Sequence, residues 1–248
     1  MAYQGEVIWI IGASSGIGHA LAVKLADEGA TLILSGRREE ALETLRLTLK
    51  GAHNVQVMDV ADAANVAQAV SAVRAQHAHI DRVLFMAGQY EPMGLDALEL
   101  AEATQMVQVN LMGALHVIAA LWPSLIAQEY AQFVLCASVV GYMGLPNAQP
   151  YGATKAGMIN LAESLYLEAP PHVDVKLIAP GFVRTPMTQK NLFKMPALIE
   201  PEAAAAAICD KLSTRGFEIH FPKKLTLVMK LLRMLPYGLS LWMLKGLS

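Results

Sequence analysis

Short apolar runs alternate with amphipathic stretches along most of this chain, a rhythm that predicts a parallel sheet flanked by helices. Residues 6–11, Glu-Val-Ile-Trp-Ile-Ile, read as a buried strand. They lead through Gly12-Ala-Ser-Ser-Gly16-Ile-Gly18 into a helical pattern from His19 to Glu28, closed by Gly29. A second strand, Thr31 to Ser35, is followed by Gly36-Arg37-Arg38 and a helix over 39–50. The alternation continues with a strand at 54–58, a helix at 62–77 and a strand at 82–86 that runs into Ala87-Gly88. A long apolar helical stretch spans about 100–128, and strands follow at 131–137, 173–179 and 217–221. Pro201 opens a helix over 201–212, since a proline in the first turn forfeits no helical bond. Strands alternating with helices predict an α/β fold, a parallel sheet of about seven strands flanked by helices. No repeat or low-complexity linker divides it, so residues 1–222 read as one domain.

With 248 residues the chain is long enough for one α/β domain with a substantial core. Its hydrophobic share is 54% and its charged share 16%, oilier than an ordinary soluble domain. A net charge of −2 argues against general nucleic-acid binding. The charge is uneven. No acidic residue follows Glu218, and Lys223, Lys224, Lys230, Arg233 and Lys245 bring residues 219–248 to +5, which leaves −7 on residues 1–218. Two cysteines, Cys136 and Cys209, stand in apolar surroundings and suggest no disulfide framework, so a cytoplasmic location is expected. The N-terminus enters a strand within a few residues without a basic segment or cleavage site, and no secretory signal is expected. No uninterrupted apolar run of about 18 residues suggests a spanning helix. No metal site is expected.

Candidate chemistry gathers at strand ends. Ser138 follows the strand 131–137, and ligands of open α/β sheets bind outside the carboxyl ends of the strands. Tyr151 and Lys155 are spaced i, i+4 and project from one face of a helix. A phenol titrates near ~10. A neighbouring ammonium favours the phenolate and is expected to lower that value toward what a general acid/base needs. Ser138 would hold a substrate oxygen while Tyr151 moves its proton. Taken alone, a Tyr-x-x-x-Lys pair reads equally well as an ordinary half-exposed contact.

The turn after the first strand suits the phosphates of a dinucleotide. Gly12, Gly16 and Gly18 allow a tight turn and close backbone approach, and Ser14, Ser15 and Ile17 lie among them at the N-terminus of a helix. At the end of the second strand an acid would bind the adenosine ribose 2′-hydroxyl, whereas an arginine would accommodate a 2′-phosphate. The chain offers Ser35, Gly36, Arg37 and Arg38 there and no acid before Glu39, which favours NADP(H) over NAD(H). Asn110 stands among Val107, Val109, Leu111 and Met112. An unpaired buried amide costs about 1–3 kcal/mol, so Asn110 needs partners, either backbone in the core or groups at the site.

The ordered set Gly12/Gly16/Gly18, Asn110, Ser138, Tyr151/Lys155 and Pro180-Gly181 resembles the short-chain dehydrogenase/reductase family over roughly residues 5–190. The resemblance implies a Rossmann-like fold, a doubly wound parallel sheet with helices on both faces, a nicotinamide cofactor, hydride transfer within a carbonyl/alcohol pair, and a homodimer or homotetramer. It implies Tyr151 as proton donor and acceptor, Lys155 on the nicotinamide ribose and lowering the Tyr151 pKa, and Ser138 on the carbonyl oxygen. Asn110 would fix a water that passes protons onward from Lys155. Asp59 and Val60 match positions beside the adenine, and Ala87 and Gly88 the end of the fourth strand. Pro180, Gly181, Val183 and Thr185 match the segment that meets the nicotinamide, Thr185 at its carboxamide. There is one departure. Family members carry an Asn before Ala-Gly after the fourth strand, and this chain has Met86, which cannot make amide hydrogen bonds to the sheet.

In this family the segment at about 186–200 covers the substrate. Met187, Leu192, Phe193, Met195, Leu198 and Ile199 would line a soft apolar lid, with Gly141–Pro146 and Gln89–Met93 as further walls. An apolar or lipid-like carbonyl or alcohol is expected, unless these residues pack a subunit interface. In the tail, 223–248, Lys223, Thr226, Lys230 and Arg233 form one helical stripe, and Leu225, Val228, Met229, Leu232 and Leu235 fill much of the rest. Pro236 and Gly238 break the pattern before Leu239–Leu247, with Trp242 nearby. Such a helix lies on an anionic membrane surface or packs on the domain or a second subunit. Two rival functions stand beside this reading. One is a non-catalytic dinucleotide-binding scaffold, which Met86 weakly favours. The other is a serine hydrolase using Ser14 in Gly12-Ala-Ser14-Ser-Gly16, with candidate partners such as Asp174 and His220.

Overall fold

The computed structural model of the protein describes residues 2–191 and 193–245. Seven strands, β1 (Val7–Ile11), β2 (Thr31–Gly36), β3 (Asn54–Val57), β4 (Arg82–Phe85), β5 (Ala131–Cys136), β6 (Val173–Pro180) and β7 (Glu218–Phe221), form one parallel sheet. Its order is β3-β2-β1-β4-β5-β6-β7. The chain winds outward from β1 to β3 and then crosses back to start the other half at β4. A crevice opens where the winding reverses, and ligands of such sheets bind there.

The helices are α1 (Gly16–Asp27), α2 (Glu39–Thr48), α3 (Ala63–Gln76), α4 (Leu100–Val107), α5 (Gly113–Leu125), α6 (Tyr151–Glu168), α7 (Pro201–Leu212), α8 (Lys223–Met234) and α9 (Tyr237–Lys245). Side chains alternate across a strand, so β1 sends Ile8 and Ile10 to one core and Trp9 and Ile11 to the other. The Ile8 side is closed by Leu21 and Leu25 of α1, Leu42 of α2 and Ile208 of α7. The Trp9 side is closed by Val70 of α3, Val117 and Leu121 of α5, and Met158 of α6. The parallel sheet is as the hydropathy pattern predicts, and its double winding with helices on both faces is as the family resemblance implies.

The long apolar stretch is α4 and α5 joined by a single π-turn, Gln108–Met112. By length and composition Leu100–Leu125 could cross a membrane, which no uninterrupted apolar run had suggested. In this fold it is a core helix: Met106, Val109, Val117, Leu121 and Leu125 are buried in the domain.

The orientation of the tail, left open by its sequence, is set by the domain. The stripe Lys223, Thr226, Lys230 and Arg233 does not simply face solvent. Thr226 is fully buried and bonds His220 Nδ1 at 2.6 Å, and Lys230 pairs with Glu218 on β7. Met229, Leu232 and Leu244 join the Trp9-side core, so the packing runs on past residue 222. The polar stripe meets the domain because β7 presents Glu218 and His220 to it. Part of the apolar surface is thereby turned outward.

Candidate active site

The turn between β1 and α1 is shaped by close approach. Gly12 has φ +104, and a Cβ on it would lie 2.6 Å from the backbone nitrogen of Ala87 at the end of β4. A Cβ on Gly18 would lie 2.2 Å from the Gly12 carbonyl oxygen. Only glycine fits either place. Ser15 caps α1 in an extended conformation without a side-chain cap bond. The N–H groups of the first turn are thus left for an anion, reinforced by the helix dipole.

A cleft of about 350 Å³ runs from this turn across the carboxyl ends of the strands. Gly12, Ser14, Ser15, Gly16, Ile17 and Gly18 line it at α1, and Arg37 and Arg38 past β2. Asp59 and Val60 line it past β3, Ala87 and Gly88 past β4, and Ser138 past β5. Tyr151 and Lys155 enter it from α6, and Pro180, Gly181, Val183 and Thr185 past β6. Arg38 bridges the ends of β1 and β2 by donating to Ser14 O and Ser14 Oγ, both at 3.1 Å. Ser35 is turned into the core, where its Oγ accepts from the Trp9 indole at 2.9 Å. Among the described residues, those that line the cleft past β2 are Gly36, Arg37 and Arg38, and none is a carboxylate. Met86, in place of an amide, also lines the cleft and packs against the Ile8-side core.

Tyr151 opens α6, one turn before Lys155, and its phenol and the Ser138 hydroxyl line the same cleft. The Ser138 Oγ also lies 3.4 Å from the Pro180 carbonyl and accepts from Val140 N at 3.3 Å. Lys155 is buried; its Nζ donates to the Cys136 carbonyl at 2.8 Å and lies 5.6 Å from the Tyr151 ring centroid. The expected lowering of the phenol pKa is not what this geometry produces. Burial pushes Tyr151 up, the neighbouring Cys136 adds to that, and the Ser138 hydroxyl opposes it. Burial pushes Lys155 down. A desolvated ammonium loses its own charge preference, so the pair settles toward a protonated phenol beside a weakened cation.

Asn110 sits on the π-turn and does not line the cleft. It is fully buried, its Oδ1 accepting from Gln89 N at 2.7 Å and its Nδ2 donating to Gln89 O at 2.9 Å and Thr154 Oγ1 at 3.1 Å. It clamps the segment after β4 to α6. A Cβ on Gly88 would lie 3.5 Å from Asn110 Oδ1 and 3.7 Å from Lys155 Nζ, so both groups border the same face of Gly88.

A second cavity, of about 360 Å³, meets the first at Ser138, Tyr151, Gly181, Met187 and Thr188. Tyr90, Pro92, Met93, Leu145, Pro146 and Phe193 give it a largely apolar wall. Of the expected lid, Met187 and Phe193 line it, and Leu192 lies outside the described residues. Ile199 does not: it pairs with Val183 and packs into the Ile8-side core. Met195 is drawn to Asn191 Nδ2 at 3.3 Å, and Leu198 lies off the cavity wall. Tyr142 turns away to bond Glu218.

Two residues take a larger part than their sequence context suggested. Tyr90 meets Tyr151 edge-on, with ring centroids 4.9 Å apart, and its hydroxyl donates to Asn191 Oδ1 at 2.8 Å. Thr188 lines both cavities and donates to the Val183 carbonyl at 2.5 Å while accepting from Thr185 N at 3.0 Å. The Thr185-x-x-Thr188 spacing is the one local signal that pointed to such a turn. The hydrolase constellation is not assembled. Ser14 Oγ is held by Arg38, Asp174 accepts from Gln132, and His220 is bonded to Thr226.

A doubly wound sheet with a glycine turn and a cleft across its switch point is the architecture of a dinucleotide-binding enzyme. Residues 6–195 match the model of a family described as short chain dehydrogenase. An uncharacterised oxidoreductase of Staphylococcus epidermidis is 35% identical over 204 residues, covering 82% of this chain and 89% of its own. An alcohol dehydrogenase of the archaeon Thermococcus sibiricus, solved with 5-hydroxy-NADP, superposes with a TM-score of 0.79 at 27% identity, over 87% of this chain and 95% of its own. A short chain dehydrogenase/reductase of Burkholderia phymatum, solved with NAD, shares the fold with a TM-score of 0.84 at 24% identity, over 93% and 94% of the two chains. The chain belongs to the short chain dehydrogenase family and is an NAD(P)-dependent oxidoreductase.

Proposed function

We propose that the protein interconverts a carbonyl and an alcohol on an apolar small molecule, with NADP(H) as the dinucleotide. The observation that carries this reading is the meeting of two cavities at Ser138 and Tyr151. One has the glycine turn and basic rim of a dinucleotide site. The other is apolar and ends on a phenol. When bound, the nicotinamide supplies or accepts the hydride. Everything else falls to the chain's own residues.

Gly12 to Gly18 and the first turn of α1 hold the diphosphate. Arg37 and Arg38 receive a 2′-phosphate through charge-assisted hydrogen bonds, and Asp59 and Val60 flank the adenine. Pro180, Gly181, Val183 and Thr185 position the nicotinamide end, and Ala87 and Gly88 let it approach the sheet. Ser138 orients the substrate oxygen, and Tyr151 gives it a proton in the reductive direction. Lys155 holds the ribose beside the phenol, and Asn110 keeps the segment between them in place. A protonated phenol suits reduction at neutral pH. We take the working form to be a homodimer or homotetramer, on the strength of the family resemblance, and cytoplasmic, on the strength of two cysteines in apolar surroundings.

Separate titrations with NADPH and NADH, followed by fluorescence or calorimetry, test the proposal. Tighter NADPH binding, followed by NADPH oxidation with apolar ketones or aldehydes, is the expected result. Equal affinity for the two dinucleotides would remove the 2′-phosphate assignment, and no binding of either would undo the proposal.

A further inference from the structure

The outer face of the C-terminal helices is apolar. In α8, Thr226, Met229 and Leu232 point inward, which leaves Leu227, Leu231 and Met234 at i, i+4 and i+7 on the opposite side. Leu231 is 61% exposed and Met234 81%. In α9, only Ser240 and Leu244 are buried, and Trp242 is 71% exposed. Among the described residues, 9 of the 20 exposed large hydrophobic side chains fall between Leu227 and Met243. Scattered exposed apolar residues need no explanation, but a concentration of this kind marks a surface that something covers.

Charge says what covers it. The exposed cations Lys223, Lys224 and Arg233 lie on α8, and no acidic side chain follows from residue 219 onward. Glu218, just before these helices on β7, is already taken by Lys230 and Tyr142. A second copy mated face to face would set these cations against one another, because a two-fold contact repeats the same patch on both sides. An anionic partner meets no such repulsion. An apolar ridge of Leu and Met with lysines beside it, and Trp242 and Tyr237 near its end, fits the boundary between lipid headgroups and acyl chains.

We infer that α8 and α9 dock the enzyme on the surface of an anionic membrane, the apolar face entering the headgroup layer and the lysines and arginine meeting lipid phosphates. The contact is peripheral, since the buried side of both helices stays in the protein core. Helix α8 starts at the carboxyl end of β7, and Leu225 in its first turn packs against Gly181, which lines both cavities. Docking therefore brings the lipid surface to the side of the molecule where the cavities open.

The test is co-sedimentation of the full chain with phosphatidylcholine vesicles, with and without phosphatidylglycerol. Binding to the anionic vesicles, at least ten-fold weaker on neutral ones and weakened by salt, is the expected result. Leu231→Asp and Trp242→Asp should each cost about ten-fold in partitioning, and Lys224→Gln about five-fold. Melting curves of the variants check that they fold; the salt dependence of the unaltered protein stands without them. Failure to bind anionic vesicles at low salt overturns the inference. So does a Leu231→Asp variant that splits an oligomer in sedimentation velocity while the parent protein ignores vesicles, which would make the face a subunit contact.

Discussion

A phenol one helical turn from a lysine ordinarily gains acidity from it, but Tyr151 and Lys155 are both removed from water, and desolvation acts against each charged form. At neutral pH Tyr151 therefore carries its proton, and the reductive reaction should run at a rate that stays level through neutral pH and falls only as alkali removes the phenol proton. A reductive rate that already falls between about pH 6 and 8, where unperturbed histidines titrate, would assign the step to another group. Replacing Tyr151 by Phe removes the proton but keeps the ring against Tyr90. Turnover should drop by about 10²–10⁴-fold, the usual share of a positioned acid, with NADPH affinity nearly intact. Arg37 gives a cleaner cofactor test than Arg38, because Arg38 also holds Ser14 in place. Arg37→Ala should weaken NADPH by about ten-fold or more, one charge-assisted contact, and leave NADH little changed. That Ser138, Tyr151, Lys155 and the arginines would gather along one cleft was legible from their order as a set, though not from any one motif alone. The direction of the phenol shift was not, because burial depends on what packs against a residue from elsewhere in the chain.

Elements were legible wherever a periodicity ran uninterrupted, and less so where the backbone departs from it. The π-turn at Gln108–Met112 adds one residue to a helical turn and carries Asn110 to Gln89 and Thr154, a placement that no 3.6-residue period foretells. The glycine turn shows the opposite case. Its spacing was plain in the sequence, and the structure gives the reason at Gly18, where a Cβ would sit 2.2 Å from a backbone carbonyl that cannot rotate away. Gly18→Ala should cost about 1–3 kcal/mol of stability, the usual range for overpacking, and weaken the dinucleotide site with it. In the tail the wheel gave a polar stripe correctly but left open which side meets the domain. Glu218 decides that. Burial raises its pKa, but hydrogen bonds from Lys230 and Tyr142 outweigh this and hold the carboxyl below its ordinary value. The stabilisation is therefore present above about pH 4.5 and lost as pH falls through the depressed value. Glu218→Gln should lower the melting temperature at neutral pH by about 2–4 °C, for about 1 kcal/mol at a partly exposed site. The gap between variant and parent should close on acidification; a gap that persists in acid would show that the ion pair is not its source.

At the scale of the whole molecule, the dinucleotide cleft spans both windings of the sheet. Its phosphate end belongs to β1, β2 and α1, and its reactive end to β5, α6 and the segment after β6. A ligand that bridges the two halves favours the folded chain over the unfolded one and stabilises it by mass action. At a hundred-fold excess over its dissociation constant that amounts to about 2.7 kcal/mol. For a chain of 248 residues the melting temperature should then rise by about 5–11 °C. NADH at the same concentration should give a smaller rise, because the contacts of Arg37 and Arg38 find no phosphate. A thermal-shift assay distinguishes this from binding at one end only. The adenosine 2′,5′-bisphosphate fragment, which lacks the nicotinamide, should shift melting through the arginine end yet be insensitive to Lys155→Met, whereas the NADPH shift should shrink with that substitution. Equal sensitivity of both ligands would mean that Lys155 supports the fold and does not hold the nicotinamide ribose, and the role assigned to α6 would have to pass to Ser138 and Tyr151 alone.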